Sequence, residues 1–306
     1  MLLFIFYLDC YNSAVEIWTI NKLLNWVTQY LTDRGIESPR LSAELLLSYV
    51  LGLKRIELYT HHDTQVAKPE LDELHALVKR AGQHEPIAYL VGKTEFYSME
   101  MDVAQDCLIP RPETELLVQR AIEFLRTREG TQSVCDLCTG CGCIAAAIAK
   151  NFPNARILAT DISNPALAVA ARNVEKHNLR ERITLLSGDL FDPIIPQLDV
   201  GKFDLIVCNP PYVSAAEYEN LEQNVRDYEP RLALYAGEDG LDIYRRIFEK
   251  IDMFLKPGAA LMLEIGYAQG QAVRDMLEKI GIFNEIIIEK DFHNNDRIVI
   301  AIKNLI

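Results

Sequence analysis

Apolar positions along this chain change their period near residue 130. Before that point they recur every three or four residues, the spacing of one face of a helix. Ile20, Leu23, Leu24, Val27 and Leu31 make the first such stripe. Ser38-Pro39 opens a second helix, since proline suits a first helical turn, with Leu41, Leu45, Leu46, Tyr49 and Val50 on its apolar side. A third runs from Pro69 through Leu71, Leu74, Leu77 and Val78. Amphipathic helices joined by short polar turns predict a small bundle over residues 16–91. Residues 92–109 have strand character, with Phe96, Tyr97, Met99, Met101 and Val103 in partial alternation, and predict a connecting hairpin. Ile109-Pro110-Arg111-Pro112-Glu113-Thr114-Glu115 then leads a periodic helix to about Thr127, with proline early and acids in the first turn.

From Ser133 the pattern alternates. Short β-branched or apolar runs at 133–137, 156–160, 183–187, 203–208, 260–265, 285–289 and 297–302 predict strands. Helical periods fall near 142–151, 164–177, 240–255 and 268–280. Strands alternating with helices predict an α/β class: a doubly wound, mainly parallel sheet over residues 110–306. The last two strands lack room for a crossover helix, so one of them is expected to run antiparallel.

Composition narrows the function classes. The 306 residues are 49% hydrophobic and 25% charged, ordinary for a soluble globular protein with a real core. A formal net charge of -13 argues against binding driven by phosphate backbones, and no direct nucleic-acid partner is expected. Residues 1–8 are apolar but too short to span a bilayer, lack a basic start and are followed by Asp9, so neither a signal peptide nor a membrane partner is expected. Residues 1–15 are expected to be an extension outside the fold. Seven cysteines, four of them at 135, 138, 141 and 143, without secreted-type pairs, fit a reducing cytoplasm. His61, His62, His75 and His84 have no metal-ligand spacing, and no metal site is expected.

The most informative stretch is residues 203–212, FDLIVCNPPY. A buried strand ends at Asn209, because the two prolines that follow cannot donate to a ladder. This puts an amide side chain, proline-fixed carbonyls and the Tyr212 ring at a strand's carboxyl end, where ligands bind in open α/β sheets. The Asn209 side-chain oxygen and the Pro210 carbonyl are two acceptors that can take both hydrogens of a planar NH2 group. The bland alternative is a strand ending in a turn. Between the first strand and its helix sits Asp136-Leu137-Cys138-Thr139-Gly140-Cys141-Gly142, where glycines allow a tight turn and a close backbone approach to a ligand. Asp161, about 20 residues on at the end of the next strand, suits a ribose diol. Asp189 ends the third strand, placed for an adenine ring. Singly, each acid is more often a cap or turn residue. The spacing Cys135-x2-Cys138-x2-Cys141 offers an iron–sulfur alternative, weakened because Cys135 falls in a buried strand and Cys143 has no proline behind it.

Together these residues resemble the S-adenosylmethionine-dependent methyltransferases that modify planar nitrogens. Four further stretches are similar to one subfamily, the peptide chain release factor glutamine methyltransferases (HemK/PrmC): residues 109–115, Glu229-Pro230-Arg231-Leu232-Ala233-Leu234, Gly237-Glu238-Asp239-Gly240-Leu241, and Leu263-Glu264-Ile265-Gly266 with Gln269-Gly270. The resemblance runs from about Ile20 to the C-terminus and covers the bundle and hairpin. It implies methyl transfer from S-adenosylmethionine to the glutamine amide in the Gly-Gly-Gln loop of bacterial class-1 release factors. It places Cys138, Thr139, Gly140, Cys141, Gly142, Asp161, Asp189, Leu190 and Asn209 at the cofactor, and Asn209, Pro210, Pro211 and Tyr212 at the glutamine. Asn209, Pro210 and Tyr212 are the expected catalytic residues. Two residues depart from the family's pattern: Cys138 stands where a glycine is usual, and Leu190 where some members carry an aromatic. The competing readings are an amino methyltransferase acting on a nucleobase, which needs a base-flipping pocket and a basic track, and a non-catalytic nucleotide-binding module.

Overall fold

The computed structural model describes residues 17–195 and 202–305; the extension expected over 1–15 lies outside the described residues. The chain divides into two compact units between Val91 and Gly92.

The first unit contains helices α1 (Ile20–Asp33), α2 (Pro39–Leu51), α3 (Arg55–Thr60), α4 (Lys68–Ala81) and α5 (Ile87–Val91). Its core joins Leu23, Leu24, Val27 and Leu31 of α1 to Ala43, Leu46 and Leu47 of α2 and Leu74 and Val78 of α4. The α2 face differs from the expected one. Leu41 and Tyr49 are exposed, while Ser42 and Glu44 are buried. α2 packs against α1, α3, α4 and α5, so burial covers a wide arc rather than one stripe, and its apolar spacing does not fix the face. Glu44 tolerates burial because Arg55 Nη2 lies 2.7 Å away, Arg40 Nε lies 3.2 Å away, and the Tyr59 hydroxyl also donates to it. Burial alone would raise its pKa, but those donors outweigh burial and hold the carboxyl below its ordinary range. The helices α3 and α5 span six and five residues, too short to show a period in sequence.

The second unit begins with an antiparallel hairpin, β1 (Lys93–Phe96) and β2 (Met99–Asp102). Tyr97 and Ser98 turn it, both at positive φ (+49° and +58°), the two-residue geometry that matches strand twist. After α6 (Thr114–Arg126) the remaining elements alternate: β3 (Gln132–Leu137), α7 (Cys143–Asn151), β4 (Ala155–Asp161), α8 (Asn164–Lys176), β5 (Ile183–Ser187) and β6 (Phe203–Cys208). Short helices α9 (Ala215–Glu219) and α10 (Gln223–Arg226) follow, then α11 (Asp242–Phe254), β7 (Leu255–Glu264), α12 (Gly270–Ile280), β8 (Phe283–Lys290) and β9 (Asp296–Lys303). The seven strands stand in the order β5-β4-β3-β6-β7-β9-β8. The strands β3 to β7 pair in parallel, while β9 is antiparallel to both β7 and β8. The expected mainly parallel sheet with one reversed strand near its end is therefore the observed one.

Every residue of β6 is buried, as a central strand covered on both faces requires. The strand β7 starts at Leu255, five residues before the run expected from 260. Its register with β6 shifts between Phe203 and Leu205, and Pro257 and Gly258 sit in the irregular part, so only its second half has an uninterrupted strand pattern. The strand order reverses between β3 and β6, which defines the switch-point crevice at their carboxyl ends.

Candidate active site

Leu137 and Cys208 are register partners at the ends of β3 and β6. The glycine turn and Asn209-Pro210-Pro211-Tyr212 therefore leave the sheet side by side. In the turn, Cys138, Gly140 and Gly142 have φ of +56°, +56° and +79°. Cys138 thus keeps the left-handed conformation a glycine would take, at about 1–2 kcal/mol of backbone strain, while its side chain packs on the sheet's core. At Gly142 a Cβ would meet the Ala170 Cβ on α8 at 3.1 Å, so glycine there serves helix packing as well as the turn. At Gly140 a Cβ would meet nothing within 4 Å, and the residue borders a cavity.

Two acids brace this turn. Asp161 Oδ2 accepts from the Gly140 N–H and Oδ1 from the Ser163 N–H, both at 2.8 Å. Burial raises the Asp161 pKa and those N–H groups pull it back, leaving lone pairs for further donors. Asp136, fully buried, accepts from the Thr139 hydroxyl at 2.6 Å and the Ala145 N–H at 3.2 Å through Oδ2. Its Oδ1 makes no hydrogen bond, and burial pushes the carboxyl up to about 7. The buried Asn173 of α8 ties the turn to the hairpin: Nδ2 donates to the Cys141 and Asp102 carbonyls, both at 2.9 Å, and Oδ1 accepts from the Asp102 N–H at 2.7 Å.

The second wall follows β5 and β6. Asp189 borders the cavity and is ion-paired with Arg246 of α11, and Leu190, at φ +48°, turns its side chain into the apolar core. Asn209 Nδ2 donates to the Thr114 hydroxyl at 3.2 Å, and that hydroxyl donates to Glu264 Oε2 at 2.6 Å. The Tyr212 hydroxyl donates to Glu264 Oε1 at 3.4 Å, and the Gln269 amide donates to the Tyr212 carbonyl at 2.9 Å. Glu264, the last residue of β7, is fully buried, and that burial pushes its carboxyl up to about 7 against the Thr114 hydroxyl and the Arg297 charge.

The four stretches 109–115, 229–234, 237–241 and 263–270 all reach this point. Arg111 is ion-paired with the buried Glu229, which also accepts from the Ile109 N–H at 3.2 Å. At Gly240, φ +74°, a Cβ would collide with the Tyr212 carbonyl.

One cavity, with about 1130 Å³ of space partly open to solvent, is bordered by Cys138, Thr139, Gly140, Cys141, Asp161, Asp189, Leu190, Asn209 and Pro211 of the expected set. Gly142, Pro210 and Tyr212 of that set are not among the residues that border it. Leu108, Pro110, Arg111, Thr114, Leu232, Tyr235 and Arg246 border it as well and carry no role in the sequence-based set. The polar residues at 111, 114, 229, 264 and 269 gave a signal only as parts of the four stretches, with no chemistry legible at their positions. The cysteine spacing is explained by packing: Cys135 is buried inside β3 and Cys143 opens α7. Among the described residues no group of three or more His, Cys, Asp or Glu side chains could hold a metal, and no helix is long and apolar enough to cross a membrane.

Comparison with known proteins agrees with this geometry. Residues 22–92 match the PrmC N-terminal domain and residues 113–227 the methyltransferase small domain. The release factor glutamine methyltransferase of Geobacter sulfurreducens is 42% identical over 93% of this chain and 96% of that protein. The release factor glutamine methyltransferase of Rhodopirellula baltica is 41% identical over 92% of this chain and 95% of that protein. A solved hMettl16 catalytic domain in complex with a 3′UTR hairpin shares the fold at a TM-score of 0.55 and 16% identity, over 85% of this chain and 91% of that one. Motifs, sheet and relatives converge: the chain belongs to the release factor glutamine methyltransferase family.

Proposed function

We infer that this protein transfers a methyl group from S-adenosylmethionine to the side-chain amide nitrogen of the glutamine in the Gly-Gly-Gln loop of class-1 release factors. The observation that carries it is the register of β3 with β6, which brings the glycine turn and the Asn209 amide onto one cavity. The residues fit the cofactor: the open space over Gly140 admits a ligand against the backbone, and Asp161 keeps lone pairs for a ribose diol. Ile144, Ile162, Ala166 and Leu190 give that wall an apolar surface for a flat base.

The cofactor supplies an electrophilic methyl when bound, so the protein's own task is to position a poor nucleophile. Asn209 spends its Nδ2 on Thr114, and among the described residues its Oδ1 accepts no hydrogen bond. Asn209 Oδ1 and the Pro210 carbonyl take the two amide hydrogens of the glutamine and favour a geometry with the nitrogen lone pair toward the methyl. The Tyr212 ring, fixed at its hydroxyl by Glu264 and at its carbonyl by Gln269, holds the plane of the amide. Held in this way, the substrate nitrogen would accept the methyl that the bound donor supplies and would then lose one proton to water. The first unit is the proposed recognition element for the release factor, and the cytoplasm the proposed compartment.

The test is the intact mass of a purified release factor after incubation with this protein and S-adenosylmethionine. One methyl is gained by the natural factor and none when the loop glutamine is replaced. Asn209→Ala is expected to lower the rate at least about a hundredfold with the fold intact. Full methyl transfer by a folded Asn209→Ala would refute the scheme. Methylation of RNA instead of the factor would favour the nucleobase reading.

A further inference from the structure

We propose that Thr114 and Glu264 are positioning residues that decide which end of the Asn209 amide faces the substrate. The inference rests on the reading of Asn209 as an acceptor for the substrate amide. An asparagine side chain offers a donor at one end and an acceptor at the other, and a half-turn exchanges them. In this site the exchange would put an NH2 where the substrate presents its own hydrogens.

The chain of donors sets the polarity. The Thr114 hydroxyl has one hydrogen, and at 2.6 Å from Glu264 Oε2 that hydrogen is committed to the carboxylate. The hydroxyl can then only accept from Asn209, which must offer Nδ2, as observed at 3.2 Å. Asn209 Oδ1 is left for the substrate. The relay joins three distant parts of the chain: Thr114 opens α6, Asn209 follows β6 and Glu264 ends β7. The Glu264 backbone is itself fixed, since its carbonyl accepts from the Tyr244 hydroxyl at 2.8 Å.

The polarity holds only while Glu264 is ionised. A protonated Glu264 can donate to Thr114, which frees the Thr114 hydrogen for Asn209 Oδ1 and removes the bias. The charged and titratable groups that face Glu264 are Tyr212 after β6, Tyr244 of α11, Glu113 before α6, and Arg297 of β9, the last paired with Asp291. Burial and Glu113 favour the neutral form, and Arg297 favours the ion. With the carboxyl pushed up to about 7, the bias strengthens as pH rises through neutrality.

The test uses the full chain and reads kinetics and side-chain nitrogen resonances together. Thr114→Val is expected to lower kcat roughly tenfold or more with little change in S-adenosylmethionine affinity, the size of one lost buried hydrogen bond. Thr114→Ser restores most of that loss. In the Asn209→Ala background, Thr114→Val costs nothing further, whereas additive losses would overturn the relay. The Asn209 side-chain amide in 15N-labelled protein, identified by its loss in Asn209→Ala, is expected to titrate with Glu264. That titration disappears in Glu264→Gln and Thr114→Val, and its absence from the parent protein would sink the proposal whatever the activity. If the titration is present but the parent protein does not methylate a release factor, the functional reading fails and the relay stands.

Discussion

Replacing Asn173 by leucine removes three hydrogen bonds without changing side-chain size much. The Asp102 N–H and carbonyl lose their partner on α8, and the Cys141 carbonyl loses its tie to the same side chain. A net hydrogen bond is worth about 1 kcal/mol, and an orphaned buried group costs about 1–3 kcal/mol. Asp102 is partly exposed, so water recovers part of its loss, whereas Cys141 is buried. The sum is a loss of about 2–4 kcal/mol from the second unit, or roughly 5–15 °C in its melting midpoint. Urea unfolding of the full chain gives the free energy, and hydrogen exchange by mass spectrometry locates it. Faster exchange is expected at the Asp102 amide and in the turn 138–142, with weaker S-adenosylmethionine binding. Asn173→Asp, which loses both donated hydrogens, should behave alike. A loss below about 0.5 kcal/mol with Asp102 protection unchanged would refute the view that one amide joins the hairpin to the glycine turn.

Gly240→Ala puts a Cβ against the Tyr212 carbonyl at a positive φ, so methyl transfer should fall about a hundredfold while the fold survives, measurable as kcat beside a melting curve. Glu44→Ala leaves Arg40 and Arg55 without their shared carboxylate and should cost the first unit about 1–3 kcal/mol, read as faster hydrogen exchange in α2. Because the fold holds the Glu44 carboxyl below its ordinary range, that stabilisation is present above the unfolded pKa and lost as pH falls through the folded one. Asp136 and Glu264 have the opposite sign. Both are pushed up to about 7, so the fold binds their protons more tightly than the unfolded chain and stability declines as pH rises from the ordinary carboxyl range toward 7. Asp136→Asn with Glu264→Gln should flatten that decline, by a few kcal/mol between pH 5 and 8, and an unchanged slope in urea unfolding would contradict the assignment.

The parts of the fold legible in sequence are those in which one rule acts alone. Strand β6 reads as a strand because it is apolar throughout and two prolines end it, and the alternation from Ser133 gives the sheet and its reversed strand. Where several rules compete, sequence and structure diverge. α2 has apolar residues on more than one face, and its buried arc includes Glu44 because Arg40, Arg55 and Tyr59 come from elsewhere to satisfy it. The first half of β7 is hidden by Pro257 and Gly258, and the short helices α3, α5, α9 and α10 carry too few residues for a period. At the site, Asn209 and Asp161 announce themselves by following strands directly. Thr114, Glu229, Glu264 and Gln269 act through partners 52 to 150 positions away, and no local spacing encodes such a meeting.

That separation bears on how the protein comes to life as well as on how it works. Thr114 and Glu264 meet across 150 positions, and Arg111 and Glu229 across 118. Contacts so far apart in the chain form only after the intervening sheet has closed, because loop closure must precede the contacts that reward it. Until β7 is made, Asn209 lacks the Thr114–Glu264 pair proposed to orient its amide. By the proposed relay, competence to act on a glutamine waits for Glu264 at the end of β7, so methyl transfer reports a sheet closed around Asn209.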